Sequence, residues 1–350
     1  MGYIIGIDIG GTKCAVLLGA QQGGKDSRPV LMKKVLFETR RMGGPDEAIH
    51  RFIQTIQDMM DAYGVPQKEI VGIGISCGGP LDRREGLILN PPNLPGWVNV
   101  PICKMLGRRF GLPVVLENDA NACALAEWKY GAGRGYSNVV FLTFGTGLGA
   151  GLILDGRLYH GTNDMAGEVG HIRLTECGPV GFGKMGSFEG YCSGGGISQI
   201  AQMKVLEQVE RGMFPKLGEQ ESLDARQVAK AAQEGDTLAR DIFAMSGRYL
   251  GKGLSILIDI LNPEIIIIGS VFERNRDLLW PCAKEEIEKE SLAASKAVCK
   301  VEPSMLGDQI GDYAALALVE EEYGADRDIP AVAGKISGAY SVQGRYLESL

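Results

Sequence analysis

Apolar and polar positions follow two rhythms along the chain. Short β-branched runs (YIIGIDIG from Tyr3, CAVLLGA from Cys14, VLMKKVLFE from Val30, IVGIGIS from Ile70) read as strands, and residues 45–62 carry a helical pattern between them. A second series begins at Asn138 with NVVFLTFG, GAGLILDG and EVGHIRL. It passes through helices between 197 and 260 and ends with IIIIG and a strand predicted over 298–301. This is an α/β rhythm delivered in two halves.

The halves open alike. Residues 6–18 read GIDIGGTKCAVLL and residues 142–154 read LTFGTGLGAGLIL: an apolar strand, a polar residue, a Gly/Thr turn and a second apolar strand. Each is a β-hairpin with a glycine-rich tip, arising either from duplication or as two ordinary Gly-rich hairpins. Such a tip presents several backbone N–H groups and a hydroxyl to one point, which suits a phosphate, and two tips facing each other would grip a polyphosphate. Asp8 ends the first strand, where a buried carboxylate is costly without a cation or a hydrogen-bond partner, so its expected task is to orient hydrated Mg²⁺. Lys13 either touches phosphate or faces solvent, since side chains alternate along a strand. No GxxxxGK[ST] occurs. The GFGKMG string at 181–186 follows no strand run and lacks a later acidic partner, so a dinucleotide fold is excluded.

Composition sharpens this picture. Fifty of the 350 residues are glycine, about twice the average usage of roughly 7 %, as expected for many tight turns and close backbone approaches. A net charge of −7 argues against general binding to nucleic acid or to anionic membranes. The eight cysteines have no framework spacing and read as reduced thiols. The longest greasy segment, 254–268, is interrupted by Asp259, Asn262, Pro263 and Glu264, and the N-terminus has no export pattern. A soluble cytoplasmic protein is expected, with residues 326–350 as a Gly/Ser/Ala-rich tail of uncertain order.

Four motifs, DIGGTK at 8–13, ENDAN at 117–121, TFGTGLGAG at 143–151 and GEVGH at 167–171, together resemble the ROK family of sugar kinases and repressors over residues 6 to about 311. The resemblance implies the actin/hexokinase/Hsp70 ATPase fold: two ribonuclease H-like α/β domains with ATP and sugar in the cleft between them. The expected division is residues 1–118, with a helix near 311–323 packing back on them, and residues 119–310. Family phosphate loops map onto Asp8, Gly10, Gly11, Thr12 and Lys13, and onto Thr143, Gly145, Thr146, Gly147 and Gly149. The adenosine-side loop maps onto Gly269, with Ser270 replacing a second glycine common there. The implied partners are ATP, Mg²⁺ and a sugar, within a homodimer.

Phosphoryl transfer to a sugar hydroxyl needs in-line positioning, Mg²⁺ and a carboxylate to take the hydroxyl proton. Asp119 stands between an apolar strand (113–116) and a helix (120–130), where it suits either an N-cap or a base; the resemblance makes it the base. Asn93 in the Pro-fixed loop 90–97, Asn118, Glu168, His171 and Glu189 are by resemblance the sugar contacts, with Gly79 contributing backbone from the 78–80 turn. Trp97 is expected to pack, and His50 and His160 show no partner pattern.

The family's zinc-binding cysteines are replaced. Val180, Phe182 and Ser187 stand at the three positions, so no thiolates close a tetrahedral site and no structural zinc is expected; packing by Phe182, Met185 and Phe188 would hold the loop instead. The leading expectation is an ATP-dependent kinase acting on the 6-hydroxyl of a hexose or N-acetylhexosamine. A sugar-sensing regulator without kinase activity is the alternative, though the first strand begins at Tyr3 and leaves no preceding helix-turn-helix. A nucleotide-gated interaction protein is the third, its ATP turnover indifferent to sugars.

Overall fold

The computed structural model describes residues 2–21, 27–219 and 223–323; the predicted tail at 326–350 lies outside them. The strands are β1 (Tyr3–Ile9), β2 (Lys13–Ala20), β3 (Val30–Glu38), β4 (Ile70–Cys77), β5 (Leu81–Asp82), β6 (Leu87–Ile88), β7 (Val114–Asn118), β8 (Val139–Phe144), β9 (Leu148–Leu154), β10 (Arg157–Leu158), β11 (Val180–Gly181), β12 (Lys184–Met185), β13 (Ile265–Ile268) and β14 (Lys300–Pro303). The helices are α1 (Pro45–Tyr63), α2 (Ile102–Phe110), α3 (Asp119–Tyr130), α4 (Phe188–Tyr191), α5 (Gly194–Glu210), α6 (Ala225–Gln233), α7 (Thr237–Leu261), α8 (Val271–Arg274), α9 (Arg276–Glu290), α10 (Ala293–Val298) and α11 (Ile310–Tyr323).

Two five-stranded sheets have the same plan. Their orders are β3-β2-β1-β4-β7 and β10-β9-β8-β13-β14. In each, a tight antiparallel hairpin (β1–β2, β8–β9) is flanked on one side by a further antiparallel strand and on the other by two parallel ones. The repeated plan extends the likeness of the two hairpins to whole sheets. The expected 298–301 strand lies slightly later, over β14. The EVGHIRL segment is not a strand: Val169–His171 forms a 3₁₀ turn, because the backbone must curl there beside the β8–β9 hairpin, and only a single bridge, Arg173 to Ser187, follows.

Helix α11 crosses back onto the first sheet, and glycines make that approach possible. A side chain at Gly74 on β4 would place its Cβ 2.1 Å from the Ala315 carbonyl oxygen, and Gly6 and Gly19 lie under Ala315 and Leu316. With its Ala/Leu face so close to the backbone, α11 buries Ala314 to Val319 against Ile4, Ala15 and Leu17, which removes substantial apolar surface from water. Helix α3 joins both halves. Ala122, Leu125 and Ala126 share this core with α11, while Ala124 faces Val139, Phe141, Ile153, Ile265 and Ile267 of the second sheet. Among the described residues no helix is long and apolar enough to cross a membrane.

Substituting Gly74→Ala is expected to destabilise the fold by about 1–3 kcal/mol, since helix backbone rather than a flexible side-chain end must move. Chemical denaturation checks this; an unchanged midpoint would refute the close approach.

Candidate active site

Both glycine tips open onto one cavity. It measures about 610 Å³ and is lined by Gly11 and Thr12 from the first tip, Thr146 from the second, and Arg40, Asn93 and Trp97 among others. The two turns are built alike: Gly10 N–H closes onto the Lys13 carbonyl at 3.0 Å, and Gly145 N–H onto that of Gly147 at 3.0 Å. Each turn therefore consumes its first N–H and leaves the next two, Gly11 and Thr12 or Thr146 and Gly147, without a hydrogen bond to the rest of the described chain. Of these four residues Gly11, Thr12 and Thr146 line the cavity, and unengaged backbone N–H groups at a turn are the kind of feature that attracts anions. The Thr143 hydroxyl accepts from Gly149 N–H at 3.0 Å, so it braces its hairpin, while Thr146 is the exposed hydroxyl at the tip. Lys13 is exposed at the start of β2.

Carboxylates stand beside these dipoles. Asp8, half-buried at the end of β1, has its pKa raised to about 7, chiefly by desolvation and then by the charges of Asp119 and Asp312, with Lys34 and a Ser76 hydrogen bond opposing. Gly311 permits this placement, since a Cβ there would lie 2.9 Å from Asp8 Oδ2. Lys34 is itself paired with Asp312 at 2.6 Å. Asp8 and Asp119 therefore share one electrostatic field, while Asp312 is already compensated by Lys34.

β7 runs into α3 without a loop, and the N-cap at this junction is not Asp119. The cap is Asn118, whose Oδ1 accepts from Ala120 N–H at 2.9 Å and Asn121 N–H at 3.4 Å. The Asp119 carboxylate accepts Ala120 N–H at 2.8 Å and its own backbone N–H, and desolvation by the surrounding protein raises its pKa. Asn118 keeps its Nδ2 free of that duty, facing Gly79, where a Cβ would lie 3.5 Å away. Glu168 joins the same field: desolvation raises its pKa, His171 lowers it, and Asp119 and Glu189 raise it further. Asn93 lies against the first tip, leaving no room for a Cβ on Gly11. Glu189 reaches the second hairpin, accepting Leu148 N–H at 2.9 Å. Gly269 donates to the Leu142 carbonyl at 3.1 Å, and Ser270 has φ 59°, ψ −108°, a conformation that glycine adopts without strain and serine does not. Trp97 is buried in the first core, as its packing role required.

The loop after His171 is held differently from expectation. Of the three side chains predicted to pack, Phe188 is fully buried under α7 at Gly253, but Phe182 is 70 % exposed and Met185 48 % exposed. The reason is the tight β11–β12 ribbon, which turns both outward; Phe182 meets the His171 ring edge-to-face, centroids 5.4 Å apart. Polar contacts do the holding. Gln199 brackets Val180, accepting its N–H and donating to its carbonyl, Lys184 Nζ donates to the His171 carbonyl, and Tyr191 OH and Thr175 Oγ1 both donate to the Cys177 carbonyl. Cys192 is buried with its thiol on the Ser246 carbonyl, and Cys177 is exposed. The donor set does not fit a zinc site, and no metal-binding group of His, Cys, Asp and Glu forms among the described residues.

Sequence reasoning missed one cluster. His160, expected to lack a partner, lies 2.8 Å from Glu117 Oε2, because the chain beyond β10 folds back over the end of β7. Glu117 is 2 % exposed, and Arg83 Nε also donates to it at 3.0 Å. A lone carboxylate within the apolar run VVLEN was the available signal. His50, by contrast, is a surface residue bonded to the Asp46 carbonyl of its own helix.

Two five-stranded α/β sheets of one plan, with both hairpin tips on one cavity, mark the actin/hexokinase/Hsp70 ATPase class of fold. Within that class the chain belongs to the ROK family, whose model matches residues 4–322. It is 32 % identical over 322 residues to a glucokinase of Thermotoga maritima, covering 92 % of this chain and 98 % of that one. A ROK family glucokinase from Streptomyces griseus, solved in complex with glucose and AMPPNP, superposes with TM-score 0.71 at 27 % identity, covering 91 % of this chain and all of that one. A ROK family transcriptional regulator homologous to the E. coli MLC protein superposes with TM-score 0.79 at 26 % identity, covering 91 % of this chain and 78 % of that one.

Two outcomes follow. Asp8 binds its proton more tightly folded than unfolded, so its contribution to stability falls as pH rises from about 4 to about 7 and stays unfavourable above. Asp8→Asn should therefore raise the thermal midpoint more at pH 8 than at pH 5; an equal shift at both would refute the strained carboxylate. Dialysis against a strong zinc chelator should leave the thermal midpoint unmoved, and a clear fall would mean that a metal holds the 172–187 loop.

Proposed function

We propose that this protein is an ATP-dependent sugar kinase that transfers the γ-phosphoryl group to the 6-hydroxyl of a hexose or N-acetylhexosamine. The observation that carries the reading is the shared cavity, lined by Gly11 and Thr12 of one hairpin tip, Thr146 of the other and Asn93, with the Asp8 and Asp119 carboxylates in one electrostatic field. The T. maritima and S. griseus glucokinases support the reaction class by their likeness.

In this reading Gly11, Thr12, Thr146 and Gly147 hold the triphosphate through backbone and hydroxyl, and Gly269 lies on the adenosine side. Asp8 orients hydrated Mg²⁺, which when bound neutralises phosphate charge. Asn93, Asn118, Glu168, His171 and Glu189 hold the sugar, with Gly79 offering backbone. Asp119 accepts the proton of the attacking hydroxyl, a task its raised pKa favours by making the carboxylate more basic. The two lobes are residues 1–118 with α11, and 119–310. Closure between them excludes water. A cytoplasmic homodimer without nucleic-acid or membrane partners completes the proposal.

The likeness to a ROK transcriptional regulator supports a second reading, a sugar-responsive protein without transfer activity. A coupled ADP-release assay over hexoses and N-acetylhexosamines decides between them: sugar-dependent release supports the kinase, sugar binding without release supports the sensor, and release indifferent to sugar defeats both. Asp119→Asn should lower kcat by about 10²–10⁴-fold while sugar affinity, read by calorimetry, changes little. Near-normal turnover would remove Asp119 from the chemistry.

A further inference from the structure

Glu117 is a fully buried charge whose four hydrogen bonds go to four different places. Oε1 accepts the Asn118 N–H at 2.9 Å and Asn121 Nδ2 at 3.0 Å; Oε2 accepts Arg83 Nε at 3.0 Å and His160 Nε2 at 2.8 Å. Burial alone would raise its pKa, but the His160 hydrogen bond and charge, with the Asn121 and Asn118 donors, bring it below the usual carboxylate range. A buried ionised group of this kind adds little net stability over an apolar side chain of similar volume, so its use lies in the geometry it imposes.

That geometry concerns the sugar side of the cleft. Arg83 follows β5, which leads directly out of the Gly78–Pro80 turn, and its other end reaches Glu322 on α11 at 2.7 Å. Asn121 and the Asn118 N–H flank Asp119 at the start of α3. His160 opens the loop that closes on itself through Ala166 N–H to the His160 carbonyl at 3.1 Å, and that loop runs into Glu168 and His171. Three backbone segments from separate parts of the chain therefore meet on one carboxylate, one residue before Asn118 and two before Asp119.

We propose that Glu117, gripped by Arg83 and His160, is the positioning residue that fixes the Gly78–Pro80 turn, the Asn118–Asp119 junction and the Glu168–His171 segment relative to one another. It touches no substrate. Its effect reaches the reaction through the placement of Asn118, Asp119, Glu168 and His171, and it is separate from the phosphate-binding tips. The inference rests on the proposed sugar-kinase reading for its kinetic consequence, and on geometry alone for its structural one.

Two variants and two readouts test it. His160→Ala removes the donor from the second-sheet side; His160→Gln retains an amide N–H at nearly the same reach. In the ADP-release assay, His160→Ala should lower kcat/KM for the sugar on the order of tenfold to a hundredfold with KM for ATP unchanged, and His160→Gln should restore most of the loss. In native-state hydrogen exchange, amides 118–121 should exchange faster in the alanine variant and return toward wild type in the glutamine variant. Sugar kinetics and exchange both at wild-type levels in His160→Ala would overturn the proposal. So would equal defects in both variants with a matching rise in KM for ATP, which is the signature of general destabilisation. If wild-type protein turns over no sugar, the proposed function fails, and the exchange measurement alone then decides the positioning role.

Discussion

Asp8 and Asp119 repel one another where β1 and β7 end, and the glycine tip that follows β1 carries backbone N–H groups with no partner in the described chain. Each feature is unfavourable by itself: the carboxylates resist ionisation and the amides lack acceptors. The remaining architecture keeps these features opposed, and only a rigid frame can do so against their own electrostatics.

That frame depends on close backbone approaches. α11 sits on the first sheet where Gly6, Gly19 and Gly74 leave no side chain in the way, and Gly311 at its start comes up against Asp8. α3 begins where β7 ends, so an Asn cap frees the neighbouring aspartate instead of consuming it. The 172–187 loop shows the same economy of means. With three positions occupied by Val180, Phe182 and Ser187, side-chain amide, ammonium and hydroxyl groups bond the loop backbone, and Phe188 anchors it beneath α7. A hydrogen-bonded loop is individually weaker at each contact than a metal-centred one, but it spreads the hold over several residues.

The sequence by itself determined the repeated strand–turn–strand pattern, the two Gly/Thr tips, the carboxylates at Asp8 and Asp119 and the α/β class, because these are local: alternation, turn chemistry and charge within an apolar run are readable a few residues at a time. Only the tertiary structure decided that the tips line one cavity, that Asn118 and not Asp119 caps α3, that Phe182 turns outward, and that His160 meets Glu117 across 43 positions of chain. Such pairings depend on how separate sheets are brought together. A residue's neighbours at long sequence separation are fixed by packing of whole elements, and its own spacing pattern carries no trace of them.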